Sequence, residues 1–380
     1  MRQTTPDAVR SFEALQGVVR AGRWHRRATS HVVRQLLLHL VVAVVGLVLA
    51  LGGGSLAARV IGVMLLVLGS VGVGTNSHTS SHYATSDRRW VNEALTYFGL
   101  PLFFQLSATY WWYKHVGRHH RSPNVVGIDH DIDLWPWFAL TEEEYGRSHV
   151  SRARRLYYRA QWLVAPVAIA FNGFAIQLAG WSHLLRCLVD GRRRRTAHVI
   201  DLSMMVLHWV VWIAVPLAVV PVADVLVIYF ARIVFLGYAF FVVLAPAHWP
   251  HAAVCLRPPG VVGDFIHLQT STTLNFRTGW IGRLLCSGLE FQIEHHLFPQ
   301  VSHVHYPDVS RMVREFCERE GYPYRTLGWT EAVWKSLRVF GRPKRVEARL
   351  EELAPKTGRP EALLSPFGSP SAPDEAAGRR

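Results

Sequence analysis

The chain has 380 residues, half of them hydrophobic and only 18% charged, with a mean hydropathy of +0.14. The apolar residues are bunched into long runs, which excludes a disordered chain and argues against an ordinary soluble enzyme. The net charge of +14 is carried mostly by arginines that flank those runs, so anionic lipid headgroups and positive-inside topology explain it better than a nucleic-acid partner.

Residues 1–33 form an Arg-containing N-terminal segment without a cleavable-signal pattern, expected in the cytosol, with 1–30 as a mobile tail. Four apolar runs then approach or reach the roughly 20 residues needed to cross a bilayer: Gln35–Leu51, Ala57–Asn76, Leu202–Val220 and Val225–Pro246. Short turns join the first two through Gly52-Gly53-Gly54-Ser55 and the second two through Pro221-Val222-Ala223-Asp224, so the spans come as two hairpins. Two other apolar stretches, Ala94–Trp112 and Ala160–Trp181, have arginines or lysines at both ends. Both ends then favour the cytosol, and these stretches are read as interfacial. The expected fold is an all-α membrane protein: four transmembrane helices in two hairpins, a cytosolic histidine-rich cap and interfacial helices. Residues 34–340 form the membrane domain with its cap, and 341–380, rich in Pro, Gly, Ser and Ala, form a disordered tail. Cys187, Cys255, Cys286 and Cys317 make no CxxC pair, which predicts neither a disulfide framework nor a cysteine-based metal site.

The twenty histidines carry the chemistry. His78 and His82 form an HxxxH set just after the second run, His115, His119 and His120 form HxxxHH, and His295-His296 close Gln292-Ile293-Glu294-His295-His296. His267 stands alone after the fourth run. The topology places all of them on the cytosolic side, although it was derived from charge and length alone. On an α-helix, residues i and i+4 share a face, so His78 with His82, and His115 with His119, can each grip one ion. Adjacent residues point about 100° apart, so the doublets His119-His120 and His295-His296 can serve two ions. Neutral imidazole suits Fe, Zn, Cu and Ni alike, and two ions of unnamed metal are the economical reading. His248, His251, His303 and His305 each have a minor chance of touching the site; His39, His149 and His208 are read as ordinary polar residues.

These boxes, in this order, resemble the membrane fatty acid desaturase family. The stretch Gly288–Pro299, with Gln292 opening the third box and His303-Val304-His305-Tyr306-Pro307 following, is similar to its front-end or linoleoyl-CoA desaturase branch. Asn124-Val125-Val126-Gly127 with Asp129, and His267, Thr270 and Asn275, fit that branch as well. The resemblance covers roughly residues 35–330. It implies two non-haem irons on His78, His82, His115, His119, His120, His295 and His296, with His267 completing the set. It also implies Gln292 as a ligand or a donor to bound water, and Asn275 behind the ligands. O2 is the implied co-substrate, and the substrate an acyl chain linked to CoA, a carrier protein or a lipid. The protein would position that chain and exclude water; Trp111, Trp112 and Tyr113 could line its path or form an interfacial belt. The sequence holds no His-Pro-Gly-Gly of a fused haem domain, so an external donor such as ferredoxin with its reductase is expected. A bacterial plasma membrane, with termini and active site cytosolic, completes the expectation. Thr79 replaces the Asp common after the first histidine, and Arg121-Ser122-Pro123 departs from the usual run after the second box. Both leave the ligands in place and bear on substrate and outcome, so a di-iron hydroxylase or other oxidase on a carrier-bound or secondary-metabolite acyl chain stands as the alternative. A metal transporter would place its ligands inside the spans, which these histidines do not occupy.

Overall fold

The computed structural model describes residues 6–147, 151–258 and 265–349. α1 (Pro6–Ala21) precedes the first hairpin, α2 (Thr29–Gly52) and α3 (Leu56–Ser81). Ser55 starts α3 by accepting the Ala58 N–H at 3.2 Å, a side-chain cap on an otherwise orphan donor. α2 and α3 pack with their backbones nearly touching: a Cβ on Gly46 would meet Leu66 N at 2.2 Å, and one on Gly62 would meet Ala50 N at 2.3 Å. Small residues allow this approach, which is how helices associate where lipid removes the hydrophobic drive between them.

The segment Ala94–Trp112 is not one helix. α4 (Arg89–Tyr97) runs into a π-helical stretch, Phe98–Phe103, that contains Pro101, which has no N–H to give. The chain breaks there, with Gln105 at φ 57°, and restarts as α5 (Ala108–Trp111), which winds on as a π-helix from Trp112 to His119. α6 (Glu142–Arg147) and α7 (Arg152–Val189) follow. α8 (Thr196–Trp209) continues through a π-helical turn into α9 (Val215–Leu217), and α10 (Val222–Leu244) makes the second hairpin.

Five helical stretches are long and apolar enough to cross a membrane: Thr29–Gly52, Leu56–Ser81, Arg152–Val189, Thr196–Leu217 and Val222–Ala247. Three contain an expected span whole, and Thr196–Leu217 holds Leu202–Val220 except its last three residues. The fifth, α7, contains Ala160–Trp181, the stretch expected at the interface; by length and composition it is a candidate span like the others. At 38 residues it is about 57 Å long, nearly twice the hydrocarbon core.

The cap is built from β1 (Cys255–Arg257), α11 (Phe265–Thr272), β2 (Asn275–Arg277), α12 (Trp280–Cys286), α13 (Gln292–Leu297), α14 (Tyr306–Glu320), β3 (Thr326–Gly328), α15 (Trp329–Arg338) and β4 (Val346–Arg349). β1 pairs in parallel with β4, and β2 with β3. Order therefore extends past the expected boundary at 340, because β4 completes a ladder with β1; residues 350–380 of the expected tail lie outside the described residues. The N-terminal segment also differs from a mobile tail. Phe12, Leu15 and Val19 of α1 are buried with Phe298, Val309 and Val313, so an apolar helix face is covered by the cap.

Candidate metal centre

The last turns of α3 are buried on every side from Gly69 to Ser81, yet their sequence is polar. Each polar group therefore needs a partner. Asn76 donates to Val32 O at 3.1 Å, Thr75 to Leu285 O at 2.8 Å, and Thr79 Oγ1 lies 3.0 Å from His303 Nδ1. His303 reaches Gln35 Oε1 at 2.8 Å on its other side. Thr79 thus joins α3 to the segment after the third box. Ser81 receives Trp111 Nε1 at 3.0 Å on its hydroxyl and Trp112 Nε1 at 3.0 Å on its carbonyl. These bonds fix the α5 π-helix against the end of α3, and with it the second histidine box against the first.

Two buried groups result. His78, His82, His115, His120 and His295 form one; His119, His248 and His296 form the other; within each, the candidate ligand atoms lie within 4.8 Å of one another. Each doublet is divided between the groups. The two groups abut, with the rings of His120 and His296 stacked 4.3 Å apart.

The pairing inside the second box differs from the α-helical expectation. His120 N donates to His115 O at 3.0 Å, a bond spanning five residues, as π-helical winding demands. This wider turn carries residue i+5 over residue i, so His120, rather than His119, joins His115 in the five-histidine group. His115 also approaches His119 and Asp131, but Asp131 is engaged by Lys114 Nζ at 2.5 Å.

Several outer ring nitrogens are held. His119 Nδ1 donates to Asp129 at 2.9 Å, His296 Nδ1 to Gln269 Oε1 at 2.8 Å, and His295 Nδ1 to Tyr306 Oη at 3.2 Å. Such bonds fix the tautomer and leave Nε2 bare toward the centre. Asp129 is itself fixed by the Asn124 N–H at 2.8 Å, and Asn124 donates onward to His248 O at 2.8 Å. Burial, reinforced by neighbouring rings, holds the pKa of His115, His120, His295 and His296 well below the ordinary value. Burial pulls His119 the same way, but the Asp129 carboxylate outweighs it and raises that ring.

Among the eight histidines of these two groups, four ring nitrogens have no hydrogen-bond partner: His82 Nε2, His120 Nδ1, His248 Nδ1 and His296 Nε2. Elsewhere His78 Nε2 stands 2.8 Å from His115 Nε2, and His120 Nε2 stands 3.0 Å from His295 Nε2. Neutral imidazoles this crowded, with lone pairs converging and orphaned, fit cations at their centre far better than a hydrogen-bonded core.

His267 enters neither group. Gln269 of α11 faces the histidines and also donates to His120 O at 2.9 Å; a residue two positions earlier lies about 200° round the helix. His267 accordingly faces Tyr322, at 6.1 Å between ring centroids. His248, just after α10, stands in the second group instead. Gln292 lies beside it, Nε2 to His248 Nε2 at 2.9 Å. Asn275 sits behind the third box: it donates to Glu294 at 2.8 Å and accepts the Ile293 N–H at 2.9 Å. Burial pushes the Glu294 carboxyl up to about 7. The Trp111 ring stacks on His115 at 4.2 Å, so at least this aromatic belongs to the wall of the centre. His248 was detectable by its position, since it follows the last span on the histidine side; Gln269 carried no comparable signal.

The family profile described as "Fatty acid desaturase" matches residues 55–328. The chain is 28% identical over 300 residues to Delta(8)-fatty-acid desaturase 2 of Arabidopsis thaliana, covering 74% of this chain and 63% of that one. It is 29% identical over 268 residues to the Delta(8)-fatty-acid desaturase of Euglena gracilis, with 70% and 63% covered. With sn-1 linoleoyl-lipid 6-desaturase of Synechocystis sp. it shares 26% over 281 residues, covering 70% and 75%. The matched region thus spans 63% of the length of the first two relatives.

Proposed function

This chain belongs to the fatty acid desaturase family, and on that premise we propose that it is an O2-dependent desaturase that introduces a double bond into a membrane-embedded acyl chain. The observation that carries this reading is the pair of abutting, fully buried histidine groups with orphaned ring nitrogens. His78, His82, His115, His120 and His295 would hold one iron, and His119, His248 and His296 the other. His248 then takes the place that the resemblance gave to His267. With its amide turned so that oxygen accepts from His248 Nε2–H, Gln292 would leave His248 Nδ1 free for the metal.

Two irons, when bound, supply the oxygen activation that removal of hydrogen from an unactivated chain requires. The protein's own part is positional. Asp129, Gln269 and Tyr306 keep three ligand rings in one tautomer, and the buried walls keep bulk water away. Trp111 and Trp112, tied to Ser81, present aromatic surface beside the centre, suited to an acyl chain's methylenes. Electrons come from a separate donor such as ferredoxin with its reductase, and the acyl chain is carried by CoA, a carrier protein or a lipid.

The membrane plan we favour has four crossings. Arg59, at the start of α3, pairs with Asp224, at the start of α10, at 3.0 Å, while the other ends of these helices bring His78 and His248 together in one centre. Both helices therefore run from one face to the histidine face. α7 touches the histidine side at each end: Gln161 exchanges two bonds of 2.9 Å with Ala139, and His183 stacks on Tyr113 at 5.1 Å. It lies across the bundle and does not cross once. Both termini and the centre then face the cytosol of a bacterial plasma membrane.

The test is expression in a fatty-acid-rich host, with product analysis by mass spectrometry and metal analysis of the purified chain. A new double bond that disappears in His295→Ala, together with iron in the purified protein, is expected. An iron-free chain with no new double bond ends the reading; a hydroxylated product ends desaturation and retains the centre.

A further inference from the structure

A second cluster of metal-binding donors lies outside the histidine centre, where α7 meets α8. His183 and Cys187 are one turn apart on α7, so both project from the same face, with Nε2 and Sγ 3.7 Å apart. His198, in the first turn of α8, reaches the pair from across the intervening turn. The donor atoms of all three lie within 4.8 Å of one another; Cys187 and His198 are buried, and His183 is half-buried. Cysteine spacing alone predicts no such site, because His198 is brought in only by the reversal of the chain between α7 and α8.

We propose that His183, Cys187 and His198 hold a zinc ion or a similar borderline transition-metal cation, with the fourth position open to water. The donor set decides the class. One sulfur and two imidazoles suit Zn and its neighbours, whereas Mg and Ca take oxygen ligands. Donors around a tetrahedral zinc stand roughly 3.5 Å apart, close to the separation already present between His183 and Cys187. The adjoining residues Arg192 to Arg195 are exposed, so the site lies beside a solvent-facing turn. Binding releases the Cys187 thiol proton to solvent. It also costs a cap. His198 Nδ1 accepts the Arg195 N–H at 3.1 Å, and that bond is lost either way: a metal at Nδ1 takes the lone pair, and a metal at Nε2 moves the ring proton to Nδ1. The ion would therefore clip α7 to α8 while loosening the start of α8. Because His183 stacks on Tyr113, two residues before His115, the clip adjoins the second histidine box without sharing a ligand with it.

Sulfur separates this site from the main centre, whose two groups contain histidine alone. Cobalt(II) added to the full-length, iron-loaded chain in detergent should give a thiolate-to-metal absorption band that saturates at one equivalent and is displaced by zinc. Cys187→Ser should abolish the band and His198→Gln should weaken cobalt binding at least tenfold, with iron content unchanged in both. Absence of the band in the iron-loaded wild-type chain, or its persistence in Cys187→Ser, overturns the proposal. Should Cys187→Ser fail to fold, the wild-type chain decides. In detergent, zinc and not magnesium should slow the alkylation of Cys187 by a small uncharged reagent that reaches buried thiols, as read by peptide mass spectrometry, and equal rates with and without zinc overturn the assignment.

Discussion

His120 follows His115 by five positions, yet their Nε2 atoms stand 3.2 Å apart. π-helical winding puts them together and sends His119 to the other group. The two groups are unequal, and that inequality has a consequence for metal content. Losing one donor of five leaves four histidines, enough for a tetrahedral or larger site; losing one of three leaves two. We therefore expect His248→Ala to retain about one iron per chain of about two, His120→Ala to retain both with weaker affinity, and His267→Ala to match wild type. Iron per chain after brief chelator exposure measures this. Equal loss from His248→Ala and His120→Ala would refute the grouping, and loss from His267→Ala would return that residue to the ligand set.

Asp129 offers a test of the shell behind the ligands. It is completely buried and accepts both His119 Nδ1–H and the Asn124 N–H. Asp129→Asn keeps the shape but can turn an amide N–H toward His119, where it favours the wrong tautomer. Metal affinity should fall roughly 10–100-fold with the fold intact, as read by competition with a chelator and by circular dichroism. An unchanged affinity would mean that His119 is oriented by packing alone.

Much of this arrangement was legible in the sequence, for physical reasons that also mark its limits. The two hairpins could be read because a bilayer imposes span length and charge bias directly on composition. His78 and His82 could be paired because α3 stays helical to Ser81 and His82 follows directly as its cap. His115 and His119 share a cluster with Asp131, but the five-histidine group takes His120 beside His115, which a spacing rule for α-helical winding does not show where Trp112–His119 is π-helical. His267 and His248 illustrate a different limit. Both follow α10, and only the rotation of α11, set by Gln269 bonding to His120 and His296, determines which one reaches the centre. Order at β4 was hidden because its partner, β1, lies far away in the chain.

The close contact of α2 and α3 predicts a steep cost for added volume. A side chain at Gly46 would strike the Leu66 backbone, while a Cβ at Gly54 meets nothing within 4 Å. Gly46→Val should destabilise by about 1–3 kcal/mol or more, since backbone cannot yield as a flexible side chain can. Gly54→Ala should stay within about 0.5 kcal/mol of wild type. Unfolding midpoints in detergent compare the two, and a tolerant Gly46→Val would show that the helices can part without loss.

The path of α7 gives the sharpest test of the membrane plan. Its flanks at Ser151 and Gly191 are both exposed, while the turn at Gly54 lies at the end of the α2–α3 hairpin away from the histidines. Single cysteines placed at these three positions, in a chain whose native cysteines are all buried, can be labelled with an impermeant reagent in sealed vesicles of known orientation. With four crossings, Ser151→Cys and Gly191→Cys label from the same side, and Gly54→Cys from the opposite one. If Ser151→Cys and Gly191→Cys label from opposite sides, α7 is a fifth crossing. That outcome would put the start of α8 on the far face, yet α8 and α10 form a hairpin whose α10 end delivers His248 to the centre beside His119. The chain would then need one more reversal than the described helices supply, so labelling from one side is the outcome the histidine geometry requires.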